Sequence, residues 1–137
     1  MAVCGLTACQ PSSPAYRHIK SLPYTQWEAY AATFPIEQRL DLHKEIRQRS
    51  GHNPKMTIEA IFATQPQETY RAIVKRLKSG NQSRFHMGVL YEIDASAGFK
   101  ICDQPDIKIV QDYLAELSAD FPAQPGIGFL DPDFYTC

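Results

Sequence analysis

The sequence contains no apolar run of about 20 residues, the length that a membrane-spanning helix requires. It also has no excess of positive charge, because 14 Lys and Arg stand against 15 Asp and Glu, for a net charge of −1. Nucleic-acid-binding domains usually carry a clearly basic surface, so we expect no nucleic-acid partner. The HExxH, GxSxG and phosphate-loop signatures do not occur. Membrane spans, nucleic-acid binding and the commonest hydrolase and nucleotide motifs are therefore not predicted.

Cysteine is too scarce and too widely spaced to predict a metal centre. The four cysteines offer no CxxC pair and no Cys/His spacing that suits zinc: Cys4, Cys9, Cys102 and Cys137. We expect neither a metal nor a cofactor. We predict that Cys102 and Cys137 form a disulfide that ties the tail to the body, and the alternative is two unrelated buried thiols.

Histidine does not stand in a catalytic pattern either. His43 falls on the apolar face of a predicted helix, which favours a hydrogen-bonded core residue over a general base. His52 and His86 lie in or beside polar connections, where we expect them to be exposed. Gly126-Ile127-Gly128 is too short a match for a nucleotide-binding loop. We therefore predict that the protein is not an enzyme.

The first residues resemble the amino end of a bacterial lipoprotein. Leu6-Thr7-Ala8-Cys9 has the order of a lipobox, and a Pro/Ser stretch follows as an extended tether. The resemblance implies lipidation of Cys9 and a periplasmic protein that meets a membrane only through this lipid anchor. No basic residue precedes Cys9, so either the numbering begins inside a signal or the match is accidental. We divide the chain into an N-terminal segment, 1–22, and one domain, 23–137.

An internal repeat with a period of 31 residues occupies the middle of the chain. Residues 27–37 and 58–68 are identical at six of eleven aligned positions, among them an Ala-Thr-x-Pro run. Each copy then ends in Ser-Gly, at Ser50-Gly51 and Ser79-Gly80. Self-similarity with a period of 20–50 residues is typical of solenoid architectures.

The first copy predicts two helices that meet at a proline corner. Thr25 and Glu28 form a capping box at the start of the first helix, and Pro35 separates it from the second. The second helix ends at Gly51 and carries residues on one face that we expect to be buried: Ile36, Leu40, His43 and Ile46.

The second copy repeats this arrangement. Asn53-Pro54 opens its first helix, Pro66 marks its corner and Gly80 ends its second helix. The apolar face of that second helix has the i, i+3, i+4, i+7 spacing: Tyr70, Ile73, Val74 and Leu77.

A third, degenerate copy is predicted over residues 84–118. Asp103-Gln104-Pro105-Asp106 imitates the proline corner, and an amphipathic helix follows it. The stretch 94–102 is either a loop or a loop with one short strand at Phe99–Cys102. We expect the aromatic residues of the tail to cover the open end of the last hairpin: Phe129, Phe134 and Tyr135.

Helical hairpins near 25–49, 54–79 and 84–118 predict an all-α fold of three stacked hairpins with an irregular Pro/aromatic tail. The arrangement resembles HEAT/armadillo-type repeats, with a period shorter than the usual ~40 residues. The resemblance implies a short α-solenoid that binds protein segments along a groove or through its loops. It therefore favours a binding protein over a catalyst.

The charges are divided between the two halves of this domain. Residues 36–85 hold ten Lys and Arg against five Asp and Glu, whereas residues 92–137 hold two Lys against nine Asp and Glu. This asymmetry indicates two faces for different partners, and the alternative is a solvated surface with a chance bias.

Two connections between hairpins are the predicted partner-binding site. In a stack of hairpins, connections of the same kind emerge at the same end. Both of these connections consist of small polar residues and are flanked by basic residues. The alternative is that each Ser-Gly merely ends a helix. The predicted site residues are Arg49, Ser50, Gly51, His52, Asn53, Ser79, Gly80, Asn81, Gln82 and Ser83.

Small exported helical-repeat proteins are similar to the immunity proteins that neutralise peptidoglycan-amidase toxins of type VI secretion. The similarity lies in size, helical class and compartment, and it is an analogy of fold rather than of site. It implies an inhibitor that blocks the active site of a periplasmic toxin, in that family often as a homodimer. The alternative is an envelope scaffold or assembly lipoprotein that uses a helical protein-binding surface.

Overall fold

A computed structural model describes residues 11–50, 53, 55–96, 98–120 and 134–137. These residues form helices and turns, and none of them lies in a β-strand. The α-helices are α1 (Pro14–Lys20), α2 (Trp27–Ala31), α3 (Ile36–Ser50), α4 (Pro66–Lys78), α5 (His86–Asp94) and α6 (Ile107–Asp120). Short 3₁₀ helices occur at Tyr24–Gln26, Glu59–Thr64 and Ile101–Asp103. The all-α prediction is confirmed, and no helix in this part of the chain is long and apolar enough to cross a membrane.

The proline corners form as the repeat predicts. Before each corner a threonine hydroxyl turns back onto the chain: Thr33 Oγ1 donates to the carbonyl of Tyr30 at 2.7 Å, and Thr64 Oγ1 donates to that of Ile61 at 2.6 Å. Pro66 is the first residue of α4, where its missing N–H leaves no helical bond unmade. The identical residues of the two copies therefore perform the same local task.

The first helix of each copy is shorter than the sequence pattern predicts. Thr25 does not begin an α-helix, because it lies in the 3₁₀ helix Tyr24–Gln26 and α2 starts at Trp27 without a side-chain cap. In the second copy the corresponding segment is the 3₁₀ helix Glu59–Thr64. A nearby proline corner limits the length of each segment, and an α-helical nucleus of a few residues is costly, so short connectors often adopt the 3₁₀ form.

Equivalent residues of the two copies supply the centre of the core. Three aligned pairs are all less than 5% exposed: Trp27 and Ile58, Leu42 and Ile73, and Ile46 and Leu77. Each such side chain contributes about 1.5–3 kcal/mol when it is removed from water. At these three positions the two copies therefore share burial in the core, even though the residue types differ.

The elements contact one another in two rows. α3 contacts α4, and α4 contacts α6, so the helices that follow the three corners are neighbours. α2 contacts the 3₁₀ helix Glu59–Thr64, which in turn packs closely on α5. α1, capped by the hydroxyl of Ser13, lies against α3.

Arg39 and Tyr70 join each corner to the next. Each stands four residues after its corner proline. The guanidinium of Arg39 donates to the carbonyls of Ala32 and Phe34 in its own corner and to the side chain of Gln65 in the next. The hydroxyl of Tyr70 donates to the carbonyl of Pro105 at 2.7 Å, in the third corner.

The carboxyl end is fastened to the body by the predicted disulfide, because the sulfur atoms of Cys102 and Cys137 are bonded. Tyr135 is buried, and its hydroxyl lies 3.0 Å from the hydroxyl of Ser118 on α6. The ring of Phe134 makes an edge contact with Tyr91 on α5, with 5.5 Å between centroids. The tail therefore covers α5 and α6 through these two aromatic residues.

Two further predictions concern the stretch 99–102 and the aromatic residue Phe129. The short strand at Phe99–Cys102 does not form, because residues 101–103 adopt a 3₁₀ turn after the extended Lys100. Phe129, the third aromatic residue expected to cover the last hairpin, lies outside the described residues.

Candidate functional site

The connection after α4 is a polar loop whose backbone is held by its own hydrogen bonds. The N–H of Gly80 donates to the carbonyl of Leu77 at 3.1 Å, and that of Asn81 donates to Arg76 at 2.9 Å. Gly80 has φ +89°, so these bonds complete a Schellman helix end. Such a position favours glycine, since a side chain there would be strained even though the space around it is open.

Side chains fix the second half of the same loop. Asn81 Oδ1 accepts from the N–H of Ser83 at 3.3 Å, and Ser83 Oγ accepts from the N–H of Phe85 at 3.3 Å. The carbonyl of Ser83 accepts a hydrogen bond from the hydroxyl of Tyr113, which is buried on α6. Burial raises the pKa of Tyr113 and keeps this donor protonated.

The tip of the loop is exposed to solvent. Ser79, Gly80, Asn81 and Gln82 are exposed, and Ser83 is half-buried. The arrangement presents amide and hydroxyl groups on a backbone that is held by hydrogen bonds within the protein.

The connection after α3 is described only in part, because Gly51 and His52 lie outside the described residues. At its start, Arg49 Nε donates to Glu45 Oε2 at 3.1 Å, and its guanidinium lies over the ring of Tyr16. At its end, Asn53 is exposed. These two contacts of Arg49 join it to α3 and α1.

The contacts of the two connections are described to different extents. The connection that begins at Ser79 is fastened to α6, whereas the hydroxyl of Ser50 is buried without a hydrogen-bond partner among the described residues. The side-by-side placement of the two connections stays a prediction. Cys9 and its lipobox also lie outside the described residues.

His86 is buried at the base of the Ser79–Ser83 loop, so the expectation that it is exposed is wrong. It is 4% exposed, its Nδ1 has no hydrogen-bond partner among the described residues, and its ring lies near Tyr113. The sequence itself indicates that His86 is buried, because His86 begins an i, i+3, i+4, i+7 series of residues on one helix face. The other members are Val89, Leu90 and Ile93. Burial lowers the pKa of His86 to about 4, and Arg76 and Lys44 act in the same direction.

His43 lies on the other side of the loop base and is a core histidine, as its place on the apolar face predicts. Its Nε2 is 3.3 Å from the carbonyl of Phe85, and in the described part of the chain no group bonds to its buried Nδ1. Burial lowers the pKa of His43 to about 4, despite the bond to Phe85, and Arg47 and His86 lower it further. His43 is therefore neutral at pH 7 and donates through Nε2.

Glu59 lies close to His43, although no pattern in the sequence marked it as a functional residue. One carboxylate oxygen is 3.8 Å from His43 Nε2 and 4.0 Å from Arg47 Nε. Because His43 is neutral, only Arg47 provides an ion pair at pH 7. Burial raises the pKa of Glu59, Arg47 opposes this effect, and Glu92 reinforces it. Of these groups, His43 contacts the residue that precedes α5, through the carbonyl of Phe85.

Within the described part of the chain, no three His, Cys, Asp or Glu side chains converge in a way that would hold a metal ion. No family model, curated protein or solved structure matches the chain.

Proposed function

We propose that this chain is a protein-binding inhibitor: an immunity protein that blocks the active site of a periplasmic peptidoglycan-amidase toxin of type VI secretion. The loop Ser79–Ser83 would enter the cleft of the toxin. The observation that supports this proposal is a loop that combines an exposed polar tip with a backbone fixed by hydrogen bonds at both ends.

Rigidity matters because binding has a conformational cost. Ordering a flexible side chain or loop at an interface costs about 0.5–1.5 kcal/mol per immobilised side chain. Here the Schellman bonds, the Asn81–Ser83 turn and the anchor to Tyr113 already hold the backbone. The exposed side chains of Asn81 and Gln82 are left to pair with polar groups of a cleft.

The scaffold behind the loop would be a short stack of three hairpins. The two rows of contacts, and the bonds from Arg39 and Tyr70 to successive corners, support this stacking of equivalent elements. Stacked repeats present loops of one kind from a rigid body. In this arrangement the connection Arg49–Asn53 would form a second contact region, as the sequence predicts.

An oxidising compartment is part of the proposal. The Cys102–Cys137 disulfide is compatible with the periplasm, where such bonds persist. Lipidation of Cys9 would place the inhibitor at the membrane surface.

The proposal predicts that a secreted hydrolase is encoded beside this chain, and the test uses that enzyme. Inhibition of its cell-wall hydrolysis is measured for the parent and for Asn81→Ala combined with Gln82→Ala. Side chains at the centre of an interface typically contribute about 2 kcal/mol or more, so inhibition should weaken at least about thirtyfold. The control is Gln26→Ala with Gln38→Ala, which removes two exposed amides elsewhere. Melting should be unchanged in the control and lowered only slightly in the loop variant, which loses the exposed Asn81–Ser83 hydrogen bond.

Two results would contradict the proposal. Full inhibition by every loop variant, with loss of inhibition by Asp112→Ala or Glu116→Ala, would move the site to the acidic half. Absence of any hydrolase that binds the parent would favour an envelope scaffold instead.

A further inference from the structure

Three cations lie in one line on the exposed side of α4. Arg71, Lys75 and Lys78 are spaced i, i+4, i+7, so they share a helix face, and all three are exposed. We call them the basic stripe. The stripe is about 10 Å long at 1.5 Å per residue, and it leads directly into the loop Ser79–Ser83.

The stripe is poorly neutralised by the rest of the molecule. Within the described residues, neither Arg71 nor Lys75 makes an ion pair, and Lys78 meets Asp106 in a contact where both side chains are about half exposed. Like charges at this spacing destabilise a helix slightly. The fold therefore accepts a small cost on this face.

Elsewhere the same chain pairs its cations. Arg76, on the opposite side of α4, contacts Glu37 at 2.7 Å and Asp41 at 3.0 Å and is only 12% exposed. On α6, Lys108 pairs with Asp112 four residues later. Carboxylates are thus available to the fold, but within the described residues only Lys78 of the stripe is paired with one.

The helix dipole explains only part of the pattern. Cations in the last turn of a helix are favourable, and this accounts for Lys75 and Lys78. The effect fades within one turn, so it does not account for Arg71, two turns from the end of α4.

We infer that the basic stripe is an interaction surface for an acidic protein, which it draws toward the adjacent loop. This inference rests on the proposed function and specifies the partner: carboxylates should line one rim of the cleft that receives Ser79–Ser83. Complementary charge beside a docking loop raises the association rate and fixes the orientation of the encounter.

The size of the stripe favours a protein over other polyanions. Nucleic-acid sites usually neutralise many phosphates with a broad basic surface, whereas this stripe holds three cations on a chain of net charge −1. An anionic membrane likewise attracts clusters of about four to eight Lys and Arg. A small group of protein carboxylates matches the stripe better.

The experiment uses the folded chain and labelled decaglutamate as an acidic peptide probe, with binding followed by fluorescence anisotropy at about 0.01 M and 0.15 M salt. Lys75→Glu should weaken binding about fivefold, and Arg71→Glu with Lys75→Glu more than about tenfold. The matched control is Lys108→Glu, which changes net charge equally at an 81% exposed lysine outside the stripe and should cost less than about twofold. Arg71→Gln with Lys75→Gln tests the same face without introducing negative charge.

Each alternative outcome is decisive. An equal loss in Lys75→Glu and Lys108→Glu would show a general charge effect and overturn the inference. Stripe-dependent binding to a DNA duplex or to phosphatidylglycerol vesicles, tighter than to decaglutamate, would overturn it in favour of that polyanion. Asn81→Ala with Gln82→Ala should leave decaglutamate binding unchanged. Loss of hydrolase inhibition in that loop variant is the separate readout of the proposed function.

Discussion

Arg39 and Tyr70 are repeat-equivalent residues of different chemistry that make the same connection. Each lies one turn into the helix after its own corner, and each donates a hydrogen bond to the following corner: Arg39 to Gln65, and Tyr70 to Pro105. The position, rather than the residue type, is therefore what the two copies share.

These bonds should be separable by mutation. Tyr70→Phe removes one hydroxyl and should lower the free energy of unfolding by about 0.5–1.5 kcal/mol. Arg39→Met leaves three acceptors without their donor, and it should cost more, about 2–4 kcal/mol. Urea unfolding measures both. Tyr24→Phe, at an exposed tyrosine, is the control, and a loss in that variant as large as in Tyr70→Phe would contradict the assignment.

The repeat core gives a second prediction. Leu40 and Ile73 are 2% and 0% exposed, so Leu40→Ala and Ile73→Ala should each lower the free energy of unfolding by about 2–5 kcal/mol. Thermal melting and urea unfolding are the measurements. Lys108→Ala, at an exposed position on α6, should change stability by less than about 0.5 kcal/mol. Melting of both core variants like the parent would show that the helix faces are assigned incorrectly.

Stability should fall in mild acid because two histidines are buried in the neutral form. The pKa values of His43 and His86 are about 4 in the fold, against 6.5 for an unperturbed histidine. Between these values the unfolded chain binds more protons, so stability is complete above about pH 6.5 and declines toward pH 4. The raised pKa of Glu59 acts in the opposite direction and moderates the decline near the acidic end.

Urea unfolding between pH 7.5 and 4 tests this slope. Each unit of pKa shift corresponds to about 1.4 kcal/mol, so the two histidines together should account for a loss of several kcal/mol. His86→Phe should reduce the slope, whereas His18→Gln, at an exposed histidine, should leave it unchanged. A parent protein equally stable at pH 7.5 and 4.5 would rule out neutral burial of both rings.

Reduction of the disulfide should destabilise the protein. The bond joins residues 35 apart, and the loop-entropy model gives about 3–4 kcal/mol for a closed loop of this length. Unfolding is compared with and without a thiol reductant, and Cys102→Ser with Cys137→Ser should match the reduced parent. Thiol titration of the denatured, unreduced chain should find neither of these sulfurs free.

Much of this architecture could be predicted from sequence because its signals are local. Proline corners, glycine helix ends and apolar spacing are properties of a few neighbouring residues. They placed α3, α4 and α6 near their observed bounds. The short first segments were harder to predict, since Thr25 and Glu28 fit a capping box and only the approaching corner favours a 3₁₀ form.

The environment of the candidate loop could not be predicted in the same way. The loop Ser79–Ser83 was found from its Ser-Gly end and polar composition. Its anchors, Tyr113 and His43, are 30 and 42 residues from their partners along the chain, and such pairings depend on tertiary packing. His86 was misplaced because its neighbours Ser83 and Arg84 are polar, although its own spacing with Val89 pointed inward.

The disulfide also changes how the molecule can open. It converts residues 102–137 into a covalent ring, and the whole of α6 lies inside that ring. A helix outside such a ring can fray one residue at a time, but Cys137 cannot leave while its sulfur is held by Cys102. Under oxidising conditions the amides of α6 must therefore exchange with solvent through larger, cooperative openings of the ring.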